Sequence, residues 1–197
     1  DRWQPPAPGR FRVVSRGPPA SGGLSDARIN GIAETRDGAV WAGTRDGLNR
    51  LDPETGRVDV IRRPVDGANS NAFWYLYEDA SGRLWAGSKR RGLWQIDPST
   101  RRLERVRFYV SPLPELDADR LQVRFIGEDS RGNLWIGLGT GFAIRTPDGR
   151  WHPSVQSGLA APSPLPSPRV NVFYEDRQKQ FWAGTDGGLC RLAPESR

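Results

Sequence analysis

Four carboxylates recur at a fixed spacing: Glu34, Glu78, Glu128 and Glu175 each stand seven residues before a tryptophan (Trp41, Trp85, Trp135 and Trp182). Paired carboxylates can divide the acid and base roles of a hydrolytic or eliminating enzyme when their environments differ. Four equivalent ones in equivalent surroundings do not make such a pair. They read instead as residues that end a strand and accept hydrogen bonds from turn amides. His152 is the only histidine and Cys190 the only cysteine. A zinc site needs several Cys, His or carboxylate ligands at close spacing, and none is present. Cys190 has no base at a telling distance, and its counterparts in the other copies are Asn49, Trp94 and Ala143. No glycine-rich strand-to-helix loop offers a phosphate cradle. The expectation is no catalytic residue, no metal and no cofactor.

Charged side chains in loops are better candidates for binding. Arg45 and Asp46, then Lys89, Arg90 and Arg91, and finally Asp186 lie at matching points of successive copies. If these loops emerge on one face, residues some 45 apart in sequence meet there. Three adjacent cations repel one another in isolation and suit an acidic ligand or partner. Trp74, Tyr75 and Tyr109 could add aromatic surface, and Thr140 a hydroxyl. Longer connections at 62–70, 109–120 and 156–169 would border the same face, the last one rich in proline and so resistant to strand pairing.

The elements that carry these loops follow from the repeat. Each tryptophan opens a Trp-x-Gly, and six or seven residues later comes a glycine followed by an apolar residue: Gly47-Leu48, Gly92-Leu93, Gly141-Phe142 and Gly188-Leu189. The Trp-to-Trp steps are 44, 50 and 47 residues. A period of this length with strand and turn signals alone points to an all-β fold, a β-propeller with one four-stranded antiparallel blade per copy. In the second copy, 72–77 is the inner strand, 78–82 a turn, 83–87 the second strand, 92–96 the third and 103–108 the outer. The blades are expected at 29–61, 72–108, 121–155 and 170–192, the last lacking its outer strand. Residues 10–15 resemble an outer strand without its inner three. They would either close a four-bladed ring on the strand at 189–192 or finish a preceding blade of a larger, seven-bladed one. The whole of 1–197 reads as one propeller region.

The four tryptophans are expected to be buried against the next blade, with the nearby glycine admitting close approach. Lys179 stands where the other turns carry glycine, which demands either a strained residue or another turn type. The net charge of +6 rests on 27 Arg and two Lys scattered along the chain, and is read as blade-edge charge, not a nucleic-acid footprint. No apolar run reaches membrane-spanning length, so no membrane contact is expected of this segment. The absence of Met, even at residue 1, suggests a mature product or a segment.

Gly23-Leu24-Ser25-Asp26, Ile32-Ala33-Glu34 and the run from Asp37 to Asp52 resemble the two-component regulator propeller repeat, and Glu78-Asp79, Glu128-Asp129 and Glu175-Asp176 with their Trp-x-Gly partners repeat it. The resemblance covers residues 23–192 and implies the extracytoplasmic, periplasmic sensor region of a bacterial hybrid histidine kinase or related signalling protein. It further implies a non-catalytic ligand- or partner-binding role, with a saccharide as one ligand class, and dimerisation in the full-length receptor. A propeller lyase or glycan-active enzyme is the alternative. Nucleic-acid binding would require a steep salt dependence.

Overall fold

The structure is a computed structural model of the 197-residue chain and describes residues 13–18, 22–62, 71–106, 121–155 and 165–192. The first sheet contains β1 (Ile29–Glu34), β2 (Val40–Thr44), β3 (Gly47–Leu51) and β4 (Val58–Ile61). The second contains β5 (Tyr75–Glu78), β6 (Leu84–Gly87), β7 (Leu93–Ile96) and β8 (Leu103–Arg105). The third contains β9 (Val123–Glu128), β10 (Leu134–Leu138), β11 (Gly141–Arg145) and β12 (Trp151–Val155). The fourth has β13 (Val170–Glu175), β14 (Phe181–Thr185) and β15 (Gly188–Leu192). In every sheet neighbouring strands are consecutive and antiparallel, an up-and-down meander.

The inner strands β1, β5, β9 and β13 lie side by side in that order, and the blades fan outward from them. A separate apolar cluster fills each joint between blades. Trp41 and Leu48 of the first blade pack with Phe73, Leu84 and Ile96 of the second. Trp85 and Leu93 pack with Val123, Ile126 and Ile136 of the third. Trp135 and Phe142 pack with Val170, Phe173 and Ala183 of the fourth. Trp135 also stacks on Phe181 with ring centroids 4.1 Å apart. Trp41, Trp85 and Trp135 are buried as expected, whereas Trp182 is half-buried because no described blade covers its face.

The Trp-x-Gly glycine explains how the next blade comes so near. A Cβ on Gly43 would stand 3.0 Å from the Phe73 carbonyl oxygen, and one on Gly137 2.8 Å from that of Val170. Any side chain here would wedge the blades apart. The turn between first and second strands takes a left-handed residue, Gly82 at φ 81° for instance. Lys179 keeps the same turn at φ 63°, so the fourth blade accepts backbone strain where the others use glycine.

Two expectations about the chain's beginning need correction. Residues 13–15 form no strand, residues 10–12 lie outside the described residues, and Arg16 makes a parallel bridge to Leu24 beside the first blade. Among the described residues β15 is the outermost strand of the fourth sheet, and β13 lies next to β9 and not β1. The described blades form an open arc. The closed four-bladed ring needs a pairing that these strands do not make.

Candidate ligand-binding face

The two ends of each blade are built differently. At the lower end, where the first strand turns into the second, a carboxylate one residue after the repeated glutamate holds the blade's tryptophan. The indole Nε1 of Trp85 donates to Asp79 Oδ2 at 2.9 Å, Trp135 to Asp129 at 2.9 Å and Trp182 to Asp176 at 2.8 Å. Asp79 also accepts from the Ser81 and Arg83 amides, which shape the turn. Burial pushes the Asp79 carboxyl up, but the hydrogen bonds from Ser81, Trp85 and Arg83 outweigh it and bring it to about 2. In the first blade Thr35 takes the aspartate's place: Trp41 donates to Thr35 Oγ1 at 3.0 Å, and that hydroxyl donates to Asp37 at 2.6 Å.

The repeated glutamates do bond turn amides, and the turn belongs to the preceding blade. Glu78 accepts the Arg36 amide at 3.1 Å, Glu128 the Ala80 amide at 2.8 Å and Glu175 the Ser130 amide at 2.7 Å. Ser130 Oγ donates to Glu175 as well, and these bonds hold the Glu175 carboxyl below its ordinary range. Each glutamate thus latches one blade to the next. These carboxylates are structural.

The upper end carries the hairpins between second and third strands and the first residues of the inner strands. Four residues before each glutamate lie Asn30, Trp74, Arg124 and Asn171, one per blade and all partly buried. Lys89 Nζ sits 3.6 Å above the Trp74 ring, a cation–π contact that fixes both side chains. Arg124 donates to Asn171 Oδ1 at 2.6 Å across the third joint and to Gln122 at 3.1 Å. Asn171 Nδ2 donates to Asp186 at 2.7 Å, and Arg124 and Arg169 lie 3.6 and 3.5 Å from that carboxylate. The Asn171 bond and the two guanidiniums keep Asp186 below the usual carboxylate range, so it is anionic at neutral pH. Asn30 Nδ2 donates to the Phe73 carbonyl, tying the first blade to the second.

All six charged residues proposed from sequence lie on this upper end, on hairpins one strand out from the axis. Lys89 and Asp186 reach inward to the inner-strand residues. Asp46 instead pairs with Arg62 at 2.9 Å, beyond the outer strand of its own blade. Arg90 is exposed, with its amide on Ser88 Oγ at 3.4 Å, and the Arg91 carbonyl accepts the Trp94 indole at 2.9 Å. Arg45 is exposed. Tyr109 and most of the three long connections lie outside the described residues. Arg124, Asn171 and Asn30 escaped sequence reading because their identities change from blade to blade. Their shared offset from the repeated glutamate was the available signal.

Chemically, this face offers cations, amides and an aromatic ring, with Asp46 and Asp186 as carboxylate acceptors. His152 lies exposed on β12, away from it. Cys190 donates to the Ala183 carbonyl, and burial raises its thiol further from ionisation. Among the described residues no three His, Cys, Asp or Glu side chains gather as metal ligands. No described helix is long and apolar enough to cross a membrane.

The consecutive meanders fanned about one row of inner strands define an arc of a β-propeller. More specifically, residues 23–46, 67–90 and 164–187 match the family described as "Two component regulator propeller". Among solved structures it is similar to the extracellular domain of the hybrid two component system BT4673 from B. thetaiotaomicron, at 24% identity and TM-score 0.69, covering 89% of this chain and 22% of that one. The extracellular domain of the hybrid two component system BT3049 from the same organism gives 22% identity and TM-score 0.71 with the same coverage. A streptogramin B lyase gives 17% identity and TM-score 0.55, covering 85% of this chain and 55% of that one. The chain thus spans about a fifth of the sensor domains it resembles. None of the curated proteins matches it.

Proposed function

We propose that this chain is part of the extracytoplasmic, non-catalytic sensor region of a bacterial two-component signalling protein, and that it takes its ligand on the upper face. One observation carries the assignment of the face: the lower end repeats the same bonds blade after blade, while the upper end presents Asn30, Trp74, Arg124 and Asn171 at one equivalent position. A scaffold needs the first kind of end, and selective recognition needs the second. The repeats and the likeness to extracellular sensor domains support the location and the signalling role. A saccharide, the ligand class suggested by the family resemblance, suits the mixture of amide, guanidinium and aromatic groups. The Lys89 ammonium retains hydrogen-bond donors for a ligand oxygen above Trp74. In the full-length receptor, dimerisation would transmit the bound state to the output domain.

Isothermal titration with neutral and uronic-acid-containing oligosaccharides tests this reading. Binding by the native chain, lost in a Trp74→Ala, Lys89→Ala, Arg124→Ala variant that keeps its fold, is the expected result. Binding that persists unchanged in that variant would move the site elsewhere. Consumption of an oligosaccharide would favour the enzymatic alternative.

A further inference from the structure

One arginine stands where the repeat places an aliphatic side chain. Arg145 on β11 pairs in register with Leu134, and the same position holds Leu51, Ile96 and Leu192 in the other blades. Ile96 is fully buried in the joint between the first and second blades, and Leu192 packs against the joint between the third and fourth. In the joint between the second and third blades Arg145 takes that place, with its guanidinium carbon 5.7 Å from the centroid of the Trp85 ring. Arg83 approaches the same ring at 5.9 Å. Both blades of this joint have a further blade beside them. Packing alone does not call for a charge here, since Ile96 fills the equivalent place without one.

The nearby carboxylates leave the two cations unbalanced. Asp79 accepts from Arg83 Nε and the Trp85 indole, both at 2.9 Å, and from the Ser81 and Arg83 amides. Asp148 lies 3.2 Å from Arg150 and accepts the Thr146 hydroxyl, and Glu128 accepts the Ala80 amide. None of the three forms an ion pair with Arg145 among the described residues. The Arg145 side chain donates no hydrogen bond there, and that of Arg83 donates only through Nε. Burial and the Arg83 charge both draw Arg145 below its ordinary value, against the opposing pull of Asp79 and Asp148. An anion beside both guanidiniums removes that repulsion.

We propose that Arg83 and Arg145 form a binding site for an oxyanion of the sulfate or phosphate kind, free or as a monoester, at the lower end of this joint. Each guanidinium fork presents paired N–H donors, and a tetrahedral oxyanion has enough oxygens to serve two forks where a carboxylate serves one. Trp85 is buried, with Trp151 edge-on against it at 6.1 Å, so the indole supports the cations and leaves their N–H edges for the ligand.

Thermal melts of the 197-residue chain, with sulfate replacing chloride at constant ionic strength, test this. Sulfate stabilises folded proteins in general by exclusion from their surface, so the site is read from a component that saturates. The native chain should show one, a rise of roughly 3–6 °C at about tenfold the dissociation constant. Arg145→Leu restores the residue type of the other blades. It should melt no lower than the native chain in chloride and should lose the saturable component. Arg145→Gln should lose it as well, which separates the charge from the packing. Inorganic phosphate and glucose 6-phosphate distinguish the sources: equal affinity assigns the site to an ester group on a larger ligand, and weaker binding of the ester assigns it to the free anion. A native chain without a saturable component, or one that persists in both variants, would overturn the proposal.

Discussion

The lower and upper ends of the blades share the same strands but obey different rules. Below, Asp79, Asp129 and Asp176 hold an indole, and Glu78, Glu128 and Glu175 hold the neighbouring turn, with nearly identical distances each time. Above, one structural position holds an amide, an indole, a guanidinium and a second amide. The lower groups are bonded within and between blades, so changing one leaves a buried partner unsatisfied. The upper groups bond partly to one another at a solvent boundary, where loss is cheap. Stability is concentrated at one end of the arc, and chemical variety at the other.

Truncating the same residue type at the two ends should give the largest contrast. Trp85→Ala removes a buried ring from the joint between the second and third blades and should cost about 3–5 kcal/mol in urea denaturation. Trp74→Ala should cost about 1 kcal/mol or less, because its ring is half-buried beneath Lys89. Equal losses would mean that the upper end is scaffold too.

A smaller effect separates the carboxylates. Asp79→Ala strands the Trp85 indole, two turn amides and the Arg83 guanidinium, and should cost about 2–3 kcal/mol by the same measurement. Acid should probe this group directly. The Asp79 and Asp37 carboxyls are both lowered from 3.8 to about 2. The folded state therefore binds fewer protons than the unfolded chain between those values. The stability they contribute is fully present above pH 4 and is lost as pH falls towards 2. The melting temperature followed from pH 6 to pH 2 should hold steady and then drop in that window, and Asp79→Asn should flatten part of the drop. A melting temperature indifferent to acid would show that these bonds contribute nothing net.

Much of the lower end was legible in the sequence, because its residues return in phase. Glutamate, tryptophan and glycine at constant offsets gave the strands, the turns and the packing role of the indole. The aspartate that holds the indole was equally periodic in three copies, but Thr35 with Asp37 replaces it in the first, which hid its role. The glutamate's partner lies a whole blade away, and nothing in local spacing reveals a bond of that range. For the opposite reason the upper end was only half legible. Charged hairpins announced a polar face, yet the residues nearest the axis carry no common letter, and only the strand register aligns them. Residues 10–15 resemble an outer strand by their sequence alone. That likeness cannot specify a pairing partner, since a short alternating segment fits any open edge.

The smallest prediction concerns the one turn that departs from the pattern. Lys179 holds a left-handed conformation that Gly38, Gly82 and Gly132 adopt in the other blades. Lys179→Gly should therefore stabilise the fourth blade by roughly 0.5–1 kcal/mol, the relief of strain being partly offset by added chain entropy. Unchanged stability on denaturation would show that the ion pair between Lys179 and Glu175 offsets the strain.

The division between a fixed lower end and a free upper face is tested most directly by one pair of thermal melts. The triple variant Trp74→Ala, Lys89→Ala, Arg124→Ala should melt within about 2 °C of the native chain, despite losing the cation–π contact and the bond across the third joint. The single variant Asp79→Ala should melt roughly 4–10 °C lower. A triple variant that melts as low as the single one would contradict the account, because the proposed recognition face would then be part of what holds the blades together.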